Sequence, residues 1–291
     1  MNIQWYPGHM TKARRMMQED IKLIDIVIEL VDSRIPFSSK NPDIDELAKN
    51  KYRLILLNKS DLADDAVTTK WENYYKNKDF AVAKINARDG MGMKSINNIV
   101  QEACKEKIER DRKRGIINRP IRAMIVGIPN VGKSSFINRI AGAKKAKVEN
   151  RPGVTLNKQW VSSDIGLELL DMPGVLWPKF EEKRVGENLA LTGAIKDKIM
   201  DAEELAMILC MRLRALAPAA FAARYKLTDE DDFADMDAYD LFELIGRKRG
   251  FLMAGGAINH ARTAEMLLGE FRSATIGQIS LEAPKSYDAR R

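Results

Sequence analysis

Eight residues constrain this chain more than any others: Gly127-Ile128-Pro129-Asn130-Val131-Gly132-Lys133-Ser134 fit the pattern GxxxxGKS. They follow Ala123-Met124-Ile125-Val126, an apolar run that reads as a buried strand, and precede a stretch that reads as a helix from near Lys133. In that setting the glycines let backbone amides of Val131, Gly132, Lys133, Ser134 and Ser135 wrap around phosphate oxygens. The N-terminus of the following helix adds partial positive charge. Lys133 then reaches the β- and γ-phosphates of a nucleoside triphosphate, and the Ser134 hydroxyl is a Mg²⁺ ligand. A nucleotide-binding P-loop is the expectation.

The flanking sequence predicts a sheet that can carry it. Ile26–Val31, Leu54–Leu57 and Ala81–Ile85 read as buried strands, and 159–163 and 167–171 as two more. Helix-like stretches lie near 43–49, 67–76 and 93–109. Short apolar strands alternating with helices indicate an α/β fold, a P-loop NTPase with a doubly wound, mostly parallel sheet. After about residue 180 strand signals stop and apolar residues recur at helical spacing, as in Leu205, Ile208, Leu209 and Leu213. The expected organisation is therefore a nucleotide-binding domain over 1–180, with 1–20 as a basic extension, and a smaller all-helical domain over 181–291.

A P-loop alone does not choose between adenine and guanine. Asn58-Lys59-Ser60-Asp61 does, because it emerges from the end of a predicted strand, where α/β sheets bind ligands. The Asp61 carboxylate can accept from guanine N1–H and from the exocyclic amine beside it, whereas adenine offers an acceptor at N1 and no amine at that position. Asn58 can bridge neighbouring loops and the Lys59 stem can cover the base. Asn86-Ala87, after the next strand, fits a loop whose backbone amide meets guanine O6. On the phosphate side, Asp171-Met172-Pro173-Gly174 would hold Mg²⁺ through water at Asp171 and sense the γ-phosphate through the Gly174 amide. Thr155, after Arg151-Pro152-Gly153-Val154, is the candidate second hydroxyl on Mg²⁺ and would order its loop only with GTP. An ATPase or small-molecule kinase is the competing enzyme reading, and Asp61 argues against it.

The motifs come in rotated order, since NKxD at 58–61 precedes the P-loop instead of closing the series. That arrangement resembles the circularly permuted GTPases of the YlqF/YawG group. Trp5-Tyr6-Pro7-Gly8-His9-Met10 and Asp32-Ser33-Arg34-Ile35-Pro36 resemble more particularly the RbgA (YlqF) ribosome biogenesis GTPases, as do Arg249-Gly250 and Gly255-Gly256 near the other end. The resemblance implies a GTP-hydrolysing switch in assembly of the large ribosomal subunit, with ribosomal RNA as partner surface. A GTP-dependent module for a protein partner, with incidental hydrolysis, is the alternative. The glutamine that orients water in Ras-like enzymes is replaced here by Val175, which can neither donate nor accept, so turnover is expected to be slow alone and stimulated by the subunit. With the N-terminus free to lie over the cleft, His9 is the candidate water-positioning group; a structural or RNA-contacting His9 stays open. The resemblance also implies a K⁺ held beside the phosphates by Asn130.

Composition bounds the setting. The net charge of +7 is uneven, with 32 Lys and Arg against 22 Asp and Glu up to residue 180, and 16 against 19 after it. A basic first part suits a polyanion, and Arg110, Arg112, Lys113, Arg114, Arg119 and Arg247-Lys248-Arg249 are candidate RNA contacts. Cys104 and Cys210 lie far apart, without metal-site spacing. No run reaches the roughly 20 apolar residues of a membrane span, and no secretory pattern opens the chain. The expected setting is cytoplasmic, with neither membrane nor DNA as partner.

Overall fold

The computed structural model describes residues 8–117, 119–142, 159–163, 166–177, 180, 182–195 and 201–284. Six strands form one sheet: β1 (Ile26–Asp32), β2 (Tyr52–Asn58), β3 (Ala81–Lys84), β4 (Ile121–Gly127), β5 (Gln159–Ser162) and β6 (Leu167–Asp171). Their spatial order is β3-β2-β1-β4-β6-β5, with every pair parallel except the edge pair β5–β6. The runs read as strands are therefore strands. β1 is buried along its whole length, as a parallel strand covered on both faces must be. Its one interior charge, Glu29, accepts from Asn41 N at 3.0 Å and pairs with Arg53 at 3.0 Å, which satisfies a carboxylate fully out of water.

Helices α1 (Gly8–Asp20), α2 (Pro42–Leu47), α3 (Asp65–Lys76), α4 (Ile96–Ala103), α5 (Lys105–Lys113) and α6 (Lys133–Ile140) accompany the sheet. The stretch read as one helix over 93–109 is two, broken at Cys104, whose φ and ψ of −101° and 11° leave the helical region. The opening element is helical from Gly8. Trp71 and Tyr75 of α3 cover one face of the sheet with Val31, Ile55 and Leu57. After β6 all described elements are helical: α7 (Lys183–Leu191), α8 (Ala202–Leu216), α9 (Pro218–Tyr225), a short 3₁₀ turn, α10 (Ala238–Lys248) and α11 (His260–Arg272). Their starts are written in the sequence, since Asp201, Asp237 and Asn259 accept from first-turn amides of α8, α10 and α11.

Buried apolar residues run without a break from the sheet into these helices, Ile125 and Leu169 at one end and Leu209 and Phe271 at the other. The chain then turns back. Ile276, Ile279 and Leu281 are buried, and Leu281 N donates to Arg34 O at 2.9 Å. This return strap, 275–284, crosses the carboxyl edge of the sheet beside the NKxD loop.

Candidate nucleotide-binding site

In parallel sheets the carboxyl ends of the strands share one edge, and ligands bind where the strand order switches. Here the chain leaves the centre at β1, builds outwards to β3, and returns to β4 on the other side of β1. Along that edge the strand ends deliver, in spatial order, Asn86 after β3, Asn58 at the end of β2, Asp32 at the end of β1, the loop after Gly127 of β4, and Asp171 of β6. Motifs that are rotated along the chain thus lie in one spatial series: the Asn86-Ala87 and NKxD loops, the P-loop, and the DxxG segment.

The P-loop has the backbone its glycines demand. Gly127 and Gly132 have φ of 152° and 103°, and a Cβ on Gly132 would lie 2.4 Å from Asn58 Nδ2. Gly132 caps α6 and carries no side chain to bond the first-turn amides, whereas Asn41, Asp64 and Asp201 bond those of their own helices. Lys133 is buried, and among the described residues its ammonium donates to two carbonyls, Gly127 O at 3.2 Å and Ile128 O at 3.4 Å; burial lowers its pKa to about 8, against the pull of Asp171. Burial pushes the Asp171 carboxyl up to about 6, Lys133 opposing, and its Oδ1 has no hydrogen-bond partner among the described residues. An orphaned carboxylate oxygen, a serine hydroxyl at Ser134 and a cation facing carbonyls suit a Mg²⁺–phosphate group. Gly174 closes the cradle, since a Cβ there would stand 2.9 Å from Lys133 Nζ and 3.0 Å from Pro129 Cα.

The base side is held by side chains reaching between strands. Buried Asn58 donates to Val131 O at 2.7 Å and accepts from Ala87 N at 2.9 Å, so it ties the P-loop to the Asn86-Ala87 loop as its spacing suggested. That bond engages the Ala87 amide. Asn86 shapes its own turn, accepting from Arg88 N at 3.0 Å and donating to Asp89 at 2.8 Å. Ser60 N and Oγ both donate to Ile85 O, at 3.2 and 2.9 Å. Asp61 is exposed, with its carboxylate towards solvent and its backbone carbonyl accepting from Gln278 at 2.9 Å. Lys59, in the left-handed region at φ 57°, reaches Asp32 at 3.1 Å.

The remaining candidates separate. Thr155 lies outside the described residues, as does the side chain of His9, whose backbone opens α1. Arg14 and Met17 of α1 share a cavity of about 250 Å³ with Val175 and Leu176, so α1 flanks the residues just after Gly174. Asn130, with φ 59°, donates to Gly193 O at 2.8 Å and so joins the P-loop to the turn after α7. Of the basic candidates, Arg249 and Lys248 are tied to Glu270 at 3.1 Å and Asp231 at 2.8 Å, and Arg119 lies 3.9 Å from Asp25. Arg247, Arg110, Arg112, Lys113 and Arg114 are exposed. Sequence reasoning missed the brace behind the base loop: Asp32 with Arg34, and the return strap. Its only signal was the spaced apolar residues Ile276, Ile279 and Leu281, which do not keep a helical period.

Comparison with known proteins adds three findings. A family model described as "50S ribosome-binding GTPase" matches residues 122–231, beginning at the P-loop strand and leaving the rotated NKxD outside. A Priestia megaterium protein named "Ribosome biogenesis GTPase A" is 50% identical over 99% of both chains, and a Bacillus cereus protein of that name is 47% identical over 99% of this chain and 96% of its own. A GDP-bound structure of Thermotoga maritima YlqF is 25% identical, covers 93% of this chain and 100% of its own, and superposes with a TM-score of 0.64.

Proposed function

The chain belongs to the ribosome biogenesis GTPase A family, and from that membership we propose that it is a GTP-hydrolysing switch in assembly of the large ribosomal subunit. The observation that carries the reading is the series along the sheet edge, with Asn58 of the NKxD loop bonded directly to the P-loop at Val131. Asp61, exposed at the mouth, reads guanine N1–H and the exocyclic amine; Asn58, Lys59, Asn86 and Ala87 shape the base pocket. Amides from Asn130 to Ser135 hold the phosphates, and Lys133 faces the β- and γ-oxygens. Ser134, Thr155 and Asp171 would hold Mg²⁺, Asp171 through water, and the ion supplies charge neutralisation on the phosphates. Gly174 offers its amide to the γ-phosphate.

Buried Val175 cannot orient water, so hydrolysis by the chain alone is slow and the ribosomal subunit speeds it. His9 supplies the missing function from the first turn of α1, a reading supported by α1 and Val175 lining one cavity. His9→Ala is expected to lower kcat at least tenfold with GTP affinity unchanged, and unchanged turnover would remove the assignment. The Asn130 side-chain oxygen holds K⁺, so hydrolysis should run faster in KCl than in NaCl; equal rates would count against it.

Residues 1–180 act as the GTPase domain and 181–291 as the RNA- and ribosome-binding domain, in the cytoplasm; no described helix is long and apolar enough to cross a membrane. Ribosomal RNA meets the exposed basics Arg110, Arg112, Lys113, Arg114 and Arg247. Sedimentation with large subunits under a GTP analogue and under GDP tests the whole reading. Binding favoured by the analogue and weakened by salt is expected; equal failure to bind in both nucleotide states would refute it.

A further inference from the structure

Asp32 and Arg34 belong to a motif that the nucleotide reading leaves without a role. β1 and β2 run parallel in a register that pairs Asp32 with Asn58, so the end of β1 stands directly beside the start of the NKxD loop. Asp32 Oδ1 accepts from Arg34 N at 3.1 Å and from Nε at 2.9 Å. Its Oδ2 accepts from Arg34 Nη2 at 2.7 Å and lies 3.1 Å from Lys59 Nζ. The carboxylate and the guanidinium are each only 2% exposed. A two-pronged clamp of this kind fixes the plane of the carboxylate and so the place of the oxygen that Lys59 meets.

Arg34 is itself held from the far end of the chain. Its carbonyl accepts from Leu281 N at 2.9 Å, its Nη1 donates to Arg272 O at 3.4 Å, and its guanidinium stands 5.5 Å from the Phe271 ring centre. Lys59, by contrast, occupies a left-handed backbone conformation that a side-chain-bearing residue adopts only when its surroundings hold it there. Burial lowers the Lys59 pKa while the charge of Asp32 raises it, so the carboxylate offsets what burial costs the ammonium. Arg34 opposes Asp32 there, and exposed Asp61 adds to it.

We propose that Asp32 is a positioning residue for guanine-nucleotide binding: clamped by Arg34, it holds the Lys59 side chain in the pose that covers the base. The proposal rests on the guanine reading of the 58–61 loop. It makes Asp32 part of the nucleotide site without contact to nucleotide, acting only through Lys59.

A double-mutant cycle tests this in the full chain, with a fluorescent GDP analogue as probe. Asp32→Asn and Lys59→Met should each weaken binding about tenfold, and the double variant should bind within about twofold of Lys59→Met alone. Losses that multiply in the double variant would overturn the proposal, because Asp32 would then act independently of Lys59. Asp32→Glu guards against a folding defect, since it keeps a charge for Arg34 while moving the oxygen relative to Lys59. That variant should melt near the parent and bind several-fold more weakly; parental affinity in a folded Asp32→Glu would overturn the proposal. Parent chain that fails to bind the probe would overturn the guanine reading with it, whereas a binding parent with unaffected variants sinks the Asp32 inference alone.

Discussion

The residues with the most chemistry are the ones least comfortable in the folded chain. Asp171 is buried with an unpartnered oxygen, and its pKa of about 6 lies well above the ordinary carboxyl value of 3.8. A folded-state pKa raised above the unfolded one is a penalty that is absent below about pH 4, grows as the carboxyl ionises, and is complete above about pH 6. A shift of about two units corresponds to roughly 3 kcal/mol, part of which returns because removing the charge leaves Lys133 without its attraction. Asp171→Asn is therefore expected to stabilise the nucleotide-free chain by about 1–2 kcal/mol at pH 7 and by little at pH 4.5. Urea unfolding at the two pH values measures it, and Mg²⁺-dependent tightening of nucleotide binding should be lost in the same variant. Such residues were legible from sequence because each sits in a contiguous motif. What Asn58 touches was legible only as a possibility, since its partners Val131 and Ala87 come from other strands' loops.

Elements were read well where periodicity is local. All six strands lie where β-branched apolar runs placed them, and α6 starts at Lys133, as the glycines before it require. The return strap escaped because its stability is not local. It has neither helical period nor a strand partner in the sheet, and it is ordered by groups met from about ninety to more than two hundred positions earlier. Glu282 shows how: buried, it accepts from Phe37 N at 2.8 Å, from Ser38 N at 3.2 Å and from Asn188 at 2.9 Å, and it bonds the Ser38 hydroxyl. Trp71 of α3 donates to its backbone carbonyl at 3.1 Å. Glu282→Ala removes the carboxylate that the Phe37 and Ser38 amides, the Ser38 hydroxyl and Asn188 share and should cost about 3 kcal/mol, with Glu282→Gln recovering part of it. Thermal or urea unfolding of the full-length variants decides this. Loss below about 1 kcal/mol would mean that the strap is held by its apolar residues instead.

At the scale of the molecule, rotation of the chain leaves the γ-phosphate segment leading directly into the helices. The structure adds a second route that the order of motifs did not suggest. Asn130 of the P-loop donates to Gly193 O, while Arg272 of α11 donates to Leu191 O at 3.0 Å and Ala190 O at 2.9 Å, so the end of α7 is gripped from both sides. If nucleotide state moves the P-loop asparagine, the helices should feel it. Hydrogen exchange in α7 and α8 is expected to differ between GDP and a GTP analogue, and Asn130→Ala should reduce that difference by half or more at saturating nucleotide. Equal exchange in both states for the parent chain would exclude the coupling. Sequence alone determined the motifs, the strands that carry them and the helical character of the elements after β6, because those signals reside in neighbouring residues and backbone periodicity. Tertiary structure decided the order of motifs along the sheet edge, the Asp32–Arg34–Lys59 brace and the return of 275–284 across the base loop. Those depend on which distant segments pack together, and a hydrogen bond between residues 245 positions apart, Phe37 to Glu282, leaves no mark on either local sequence.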